Sequence, residues 1–183
     1  MLGRNVDKDY IDLVYTDDKL GGQLAAYYLI NFHHLDKFVY IKLANAECSR
    51  RRFDAFQKAV KELNSDAEIA VINQNQLNTK LIQLIHNQYY GLFCFNDELA
   101  YEALKILNKE IPNVRKVLPR LHIVGYDCIS TRINCFTDLT SIDFDYDEIC
   151  HTAVKFLLNR FEKIKLEQQK IVFTVKLHQR KYI

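Results

Sequence analysis

Two apolar runs in this chain end abruptly on a polar side chain: Phe93-Cys94-Phe95 stops at Asn96-Asp97, and Ile123-Val124-Gly125-Tyr126 stops at Asp127. An amide and a carboxylate in such places can hold a polar ligand by hydrogen bonds. Apolar runs of this length, separated by a helical stretch, mark parallel strands buried on both faces, and such sheets bind ligands beyond their carboxyl ends. Each residue could equally cap the segment that follows it, and for one alone the two readings weigh about the same. Two in the same setting tilt the balance toward a site.

Other groups could do chemistry. Arg50-Arg51-Arg52 opens a predicted helix, where a cation opposes the helix dipole by about 0.3–1 kcal/mol; a solvated helix start is the plain alternative. His33-His34 diverge at a helix end, and their spacing favours surface or capping roles over metal ligation by about ten to one. There is no G-x-S-x-G elbow, P-loop, G-x-G-x-x-G or H-E-x-x-H, so the motifs give enzymatic chemistry no support. A doubly wound enzyme with Asp127 as base would need a nucleophile or metal nearby, and the sequence offers neither. No cofactor is implied.

These residues need a scaffold, and the hydrophobic pattern predicts one. Ile11 to Val14 reads as extended, and Asp17-Asp18 opens a helix to about Phe32. Gly21-Gly22 lies in its first turns, where glycine implies close approach, a neighbouring strand being sufficient. Strands follow at 38–43, 69–72, 91–95, 121–126 and 140–144, with helices over 50–63, 77–86 and 97–107 between them. Pro112 and Pro119 fall in one long connection. From Asp145 an amphipathic helix presents Tyr146, Ile149, Cys150, Ala153, Leu157, Phe161 and Ile164, and Ile171 to Leu177 closes the chain as a strand. The alternation predicts an α/β fold with a mainly parallel sheet.

At 183 residues and net charge +2, the chain can bury an ordinary core and lacks the basic excess of a nucleic-acid binder. From Lys155 onward it is locally basic, with eight Lys/Arg against two Asp/Glu, as a solvated helix face and tail would be. Five cysteines at 48, 94, 128, 135 and 150, without a C-x-x-C pair, suit a reducing compartment and give no zinc pattern. No apolar stretch reaches the roughly 20 residues of a membrane span, and 1–16 has no signal-peptide core. The reading is cytoplasmic.

Taken in order, the segments resemble the effector-binding core of the lactose-repressor/galactose-repressor family of transcription regulators. Val14-Tyr15-Thr16-Asp17-Asp18-Lys19-Leu20-Gly21-Gly22 resembles V-x-x-D-N-x-x-G-G, and Arg52 to Ala59 resembles R-x-x-G-[FY]-x-x-A. Asn96-Asp97-Glu98-Leu99-Ala100 resembles N-D-x-[ML]-A. Pro119 to Cys128 resembles P-x-D-[IL]-x-[IV]-V-G-[FY]-D-D, Leu139-Thr140-Ser141-Ile142 resembles L-T-[TS]-[IV], and Val175 to Arg180 resembles V-x-L-x-x-R. The chain departs at Ala55 (glycine in the motif), Cys128 (aspartate) and Asp143-Phe144-Asp145 (polar residues).

The resemblance implies a type I periplasmic-binding-protein-like fold: a Rossmann-like lobe plus a partial second lobe. Segment 1–16 would end the first lobe, 17–138 would form the effector-binding lobe, and 139–183 would be the crossover and the helix and strand returning to the first lobe. It places outside the chain a helix-turn-helix, a hinge helix and the start of the first lobe. It implies a small-molecule effector, sugar or sugar-like, in the cleft between lobes. Binding there would control, as a coupling free energy, the operator affinity of a homodimer through that DNA-binding domain. Carried over by motif, Arg52, Asn96 and Asp127 are the polar contacts, and their chemistry suits a polyhydroxylated ligand. Tyr146 sits where some members place an aromatic over the sugar, with the core stripe as its other reading. Asn73, Gln74 and Asn75 are further candidates for the cleft wall. A solute-binding protein of the same fold is the alternative.

Overall fold

In a computed structural model, described over residues 11–129, 139–162 and 167–179, the chain is an α/β structure with two sheets. Strand β1 (Leu13–Thr16) leads into α1 (Asp18–Tyr27), which continues as a π-helical turn over Tyr28–Phe32. Then come β2 (Lys37–Lys42), α2 (Glu47–Leu63), β3 (Glu68–Asn73), a 3₁₀ turn at Gln74–Gln76 and α3 (Leu77–His86). The sequence continues with β4 (Gly91–Cys94), α4 (Asp97–Glu110), a one-turn α5 (Val114–Val117), β5 (His122–Tyr126), β6 (Thr140–Asp143), α6 (Tyr146–Glu162), β7 (Lys170–Phe173) and β8 (Lys176–His178).

The larger sheet has the order β3-β2-β4-β5-β6-β8, parallel except for β8, which runs antiparallel to β6. Its side chains alternate between two cores, as strand geometry requires. Phe38, Tyr40, Phe93, Val124 and Tyr126 pack with α1 and α2 on one face. Val39, Ile41, Leu92, Cys94 and Ile123 pack with α3 and α4 on the other. Full burial of each large apolar side chain contributes on the order of 1.5–3 kcal/mol. With both faces covered, the ligand-accessible parts of this sheet are its edges.

The second sheet is only β1 and β7, paired in parallel, with α6 against it through Val14, Ile149 and Phe156. Arg160 closes this unit by a two-bonded pair to Asp12, at 2.7 and 2.6 Å. That pair holds the Asp12 carboxyl at about 2, below its ordinary value.

Four expectations change. The closing strand is two strands in different sheets, because the chain crosses between them at Thr174–Val175, with Val175 buried in the larger unit. For the same reason residue 138 is not a sheet boundary: β6 and β8 complete the larger sheet, while α6 and β7 join β1. On α6 the buried row is Ile149 and Phe156, whereas Leu157 and Phe161 are 61% and 85% exposed and Cys150 is exposed. A two-stranded sheet is too narrow to cover the full apolar stripe. Finally, α2 begins at Glu47, so the arginine triplet sits one turn inside the helix, with Arg50 and Arg51 both bonded to Glu47. Cys135 and Ile164 lie outside the described residues.

Candidate functional site

The carboxyl edge of the larger sheet collects Arg52 from α2, Phe95 and Asn96 after β4, and Tyr126 and Asp127 at the end of β5. The strands that precede these segments, β2, β4 and β5, are adjacent. Arg52 is its centre. Only 6% exposed, it donates from Nε to Asp18 Oδ1 at 2.9 Å and from Nη1 to the Phe95 carbonyl at 2.6 Å. Its guanidinium lies 3.3 Å above the centroid of the Tyr126 ring and 4.9 Å from that of Phe95. Burial opposes its charge, but Tyr126, Asp18 and Asp127 outweigh burial and keep it cationic. Asp18 is raised above the ordinary carboxylate value by burial, which the field of Arg52 offsets in part.

Local sequence explains how the pair forms. Asp17 caps α1, accepting from Lys19 N and Leu20 N, which leaves Asp18 in the first turn facing α2. Gly21 is required there: a Cβ at that position would come within 2.5 Å of the Tyr126 ring. Gly22 lets α1 approach the α2 backbone at Arg52 and Phe56. The close neighbours of the glycine pair are therefore a side chain of strand β5, as a neighbouring strand would supply, and the backbone of α2. The Tyr126 hydroxyl is buried near Thr16, and burial, offset in part by Arg52 and Thr16, pushes its pKa up.

Asn96 caps α4, its Oδ1 accepting from Leu99 N at 3.0 Å, so the capping role is realised at the site edge. Asp127 has φ of 94° and Cys128 φ of 49°, a left-handed turn that side-chain-bearing residues adopt only under constraint. Asp127 N donates to Ile142 O at 2.9 Å, and its carbonyl accepts from the Tyr146 hydroxyl at 3.1 Å. Tyr146 is half-buried and stacked on Phe144, with centroids 4.1 Å apart, so it belongs to the edge and is not part of the α6 core row.

Asn73 ends β3 and Gln74 follows it, at the outer margin of the sheet, with β2 between them and β4. Asn73 forms a reciprocal cap with Gln76, and Gln74 is exposed; neither is brought to Arg52. A cavity of about 500 Å³ lies between Leu43, Asn45, Phe53 and Val71, and neither Asn73 nor Gln74 lines it. Another, of about 720 Å³, opens between the small sheet and the starts of α1 and α2, reaching Asp18.

Three site residues were not singled out from the sequence. Asp18 reads as a helix opener, Asp97 as a favourable first-turn acid, and Ser141 as a strand residue. Yet Asp18, Arg52 and Asp97 are the only buried ionisable side chains of Asp, Glu, Lys and Arg among the described residues, and Ser141 Oγ donates to Asp97 Oδ1 at 2.6 Å. For Asp18 and Asp97 the signal available was their place just after strand ends; Ser141 lies inside β6 and offered none. No cluster of three or more metal-ligating His, Cys, Asp or Glu side chains occurs among the described residues.

This layout, with polar recognition groups at the carboxyl edge of a doubly wound sheet and a second strand pair beyond, has relatives. Residues 27–181 match the model of the periplasmic binding protein-like domain. The chain belongs to that family. It is 26% identical over 179 residues to the ribose operon repressor of Escherichia coli (strain K12), a match covering 92% of this chain and 52% of that protein. The chain thus spans about half the length of the curated relatives it matches.

Among solved structures, a LacI family transcriptional regulator from Enterococcus faecium with bound ribose superposes with a TM-score of 0.78 at 24% identity, covering 96% of this chain and 66% of that one. A periplasmic binding protein/LacI transcriptional regulator from Alkaliphilus metalliredigens QYMF complexed with D-xylulofuranose gives 0.79 at 22% identity, covering 96% and 67%. At these identities the likeness establishes the fold. The resemblance drawn from the motifs holds.

Proposed function

We propose that this chain is the effector-sensing part of a LacI-type transcription regulator whose effector is an uncharged, polyhydroxylated small molecule of the pentose class. The observation that carries this reading is the buried Arg52 between Asp18, the Phe95 carbonyl and the Tyr126 ring, beside Asp127. The guanidinium offers directed donors, Asp127 a carboxylate for adjacent hydroxyls, and the ring an apolar surface. Asp18 already neutralises Arg52, and Asp97 adds a second buried carboxyl at the same edge. An anionic ligand would meet excess negative charge there.

The names of the sugar-bound neighbours and of the ribose operon repressor support the pentose class. In this reading Arg52, Asn96 and Asp127 are the principal contacts, and Tyr146 backs Asp127. Asn73 and Gln74, at the outer margin, are peripheral. The chain catalyses nothing and acts in the cytoplasm. The intact protein binds operator DNA as a homodimer through a separate helix-turn-helix, and effector occupancy changes that affinity by a coupling free energy of about 1–3 kcal/mol. No helix among the described residues is long and apolar enough to cross a membrane.

Calorimetry on the intact protein with ribose, xylulose and ribose 5-phosphate tests the reading. A neutral pentose should bind at least tenfold tighter than the phosphate ester. Tighter binding of the ester would overturn the uncharged-ligand assignment.

A further inference from the structure

The strained turn that carries Asp127 is held by two fully buried side chains, Asp97 and Ser141. Asp97 is fully buried; its Oδ1 accepts from Ser141 Oγ at 2.6 Å and its Oδ2 from Ile129 N at 2.7 Å. Ser141, also fully buried, accepts in turn from Cys128 N at 3.0 Å. One carboxyl and one hydroxyl thus hold the two residues after Asp127, across β4–α4, β5 and β6. Gly125 completes the arrangement, since a Cβ there would occupy the place of Asp97 Oδ1. Asp127 and Cys128, at φ of 94° and 49°, are conformations that persist only where surroundings over-determine them, and these bonds supply that constraint.

We propose that the Asp97–Ser141 pair is a positioning clamp that sets effector affinity by fixing the backbone of the Asp127–Cys128 turn. This rests on the reading of Asp127 as an effector contact. Neither clamp residue touches the ligand. The clamp works fully only with an ionised carboxylate, because an acid must donate from one oxygen and so cannot accept at both from Ser141 and Ile129. Burial pushes Asp97 up to about 6, against the pull of Ser141 and Ile129, and the charge of Asp127 adds to the rise. Cys94 of β4 is the other titratable group in its field, and β6 presents the uncharged Ser141. Effector affinity should therefore fall as pH drops through about 6.

The test uses the intact protein with ribose as probe, titrated from pH 5 to 8. Ser141→Ala and Asp97→Asn should each weaken ribose binding at least tenfold at pH 7.5. Ser141→Thr, which keeps the hydroxyl, should stay within about threefold of wild type, and Asp97→Asn should lose the inflection near pH 6. Wild-type affinity that is flat from pH 5 to 7, or Ser141→Ala binding within twofold of wild type, overturns the proposal.

If wild type binds no pentose, the effector reading fails separately, and the clamp is judged on the Ile129 and Cys128 amide resonances. In wild type the Ile129 amide proton should titrate with a midpoint near 6, and both amides should be protected from exchange. Asp97→Asn, or Ser141→Ala should the former not fold, should remove Cys128 protection while strand β5 stays protected. An Ile129 amide that does not titrate overturns the clamp.

Discussion

The two edges of the larger sheet solve opposite problems. At the carboxyl edge, Arg52, Asp18 and Asp97 are buried charges, and Asp127 and Cys128 are held in a strained turn. At the amino edge, His33 after α1 stacks on His122 at the start of β5, with ring centroids 3.3 Å apart, and meets Tyr28 edge-on at 4.7 Å. His33 is thus the half-buried C-cap of the π-helical turn, as its place at a helix end suggests, with its ring packed between Tyr28 and His122. Burial lowers both histidines, His122 to about 4, so the pair stays neutral. Burying charge is expensive unless it is paired, and strain persists only where structure enforces it. A molecule that buries charge at one edge and keeps the buried imidazoles of the other neutral concentrates its recognition chemistry at the first.

The contrast can be broken most severely at Arg52. Arg52→Ala leaves Asp18 buried and unpaired and strips the Phe95 carbonyl of its donor, so urea unfolding should show a loss of about 3–5 kcal/mol. Arg52→Met with Asp18→Asn should recover most of that stability without restoring effector binding. A cost near zero for Arg52→Ala would mean that the edge is not truly desolvated.

Titration sharpens the comparison next, because the two edges have opposite signs. Asp97, raised from 3.8 to about 6, binds its proton more tightly when folded. Its stabilisation is present at low pH and is lost as pH rises from about 4 through 6, by about 2–3 kcal/mol. His122, lowered from 6.5 to about 4, prefers to be neutral when folded. Its contribution is full above 6.5 and is lost as pH falls toward 4, by about 1–2 kcal/mol once its partial exposure is allowed for. Wild-type stability should therefore change little between pH 4.5 and 6. Asp97→Asn should make it climb with pH, and His122→Phe should make it fall. Parallel pH slopes in both variants would contradict the opposed assignment.

The smallest effect distinguishes the two uses of Asn96. Its loss as a cap, in Asn96→Ala, should cost about 1 kcal/mol in thermal unfolding. Asn96→Asp keeps the cap, and a drop in effector affinity there, without a drop in stability, would isolate the amide's contact with ligand.

Much of the fold was legible because each central strand is a continuous apolar run that ends on a polar residue, and α3 follows its periodicity from Leu77 to His86. The edge holding Asn96 and Asp127 was legible for the same reason, while Arg52, inside α2, was reached through the motif that carries the resemblance. What sequence could not give was tertiary. The run from Ile171 to Leu177 looks continuous although it serves two sheets, and α6 looks fully amphipathic although its neighbour covers only one row. Asp18 and Asp97 look like ordinary first-turn acids until the packing of α1 on α2, and of α4 beside β5 and β6, buries them. Asp127's turn has no glycine to announce its positive φ.

The central claim is that Asp127 contacts effector and not DNA. A gel-shift titration of the intact protein with Asp127→Ala, against wild type and over a ribose series, tests it directly. The account predicts that the variant loses its response to ribose while basal operator affinity stays within about a factor of ten, or 1.4 kcal/mol. An Asp127→Ala protein that responds to ribose at wild-type concentrations would remove Asp127 from the site and with it the hydroxyl-rich effector.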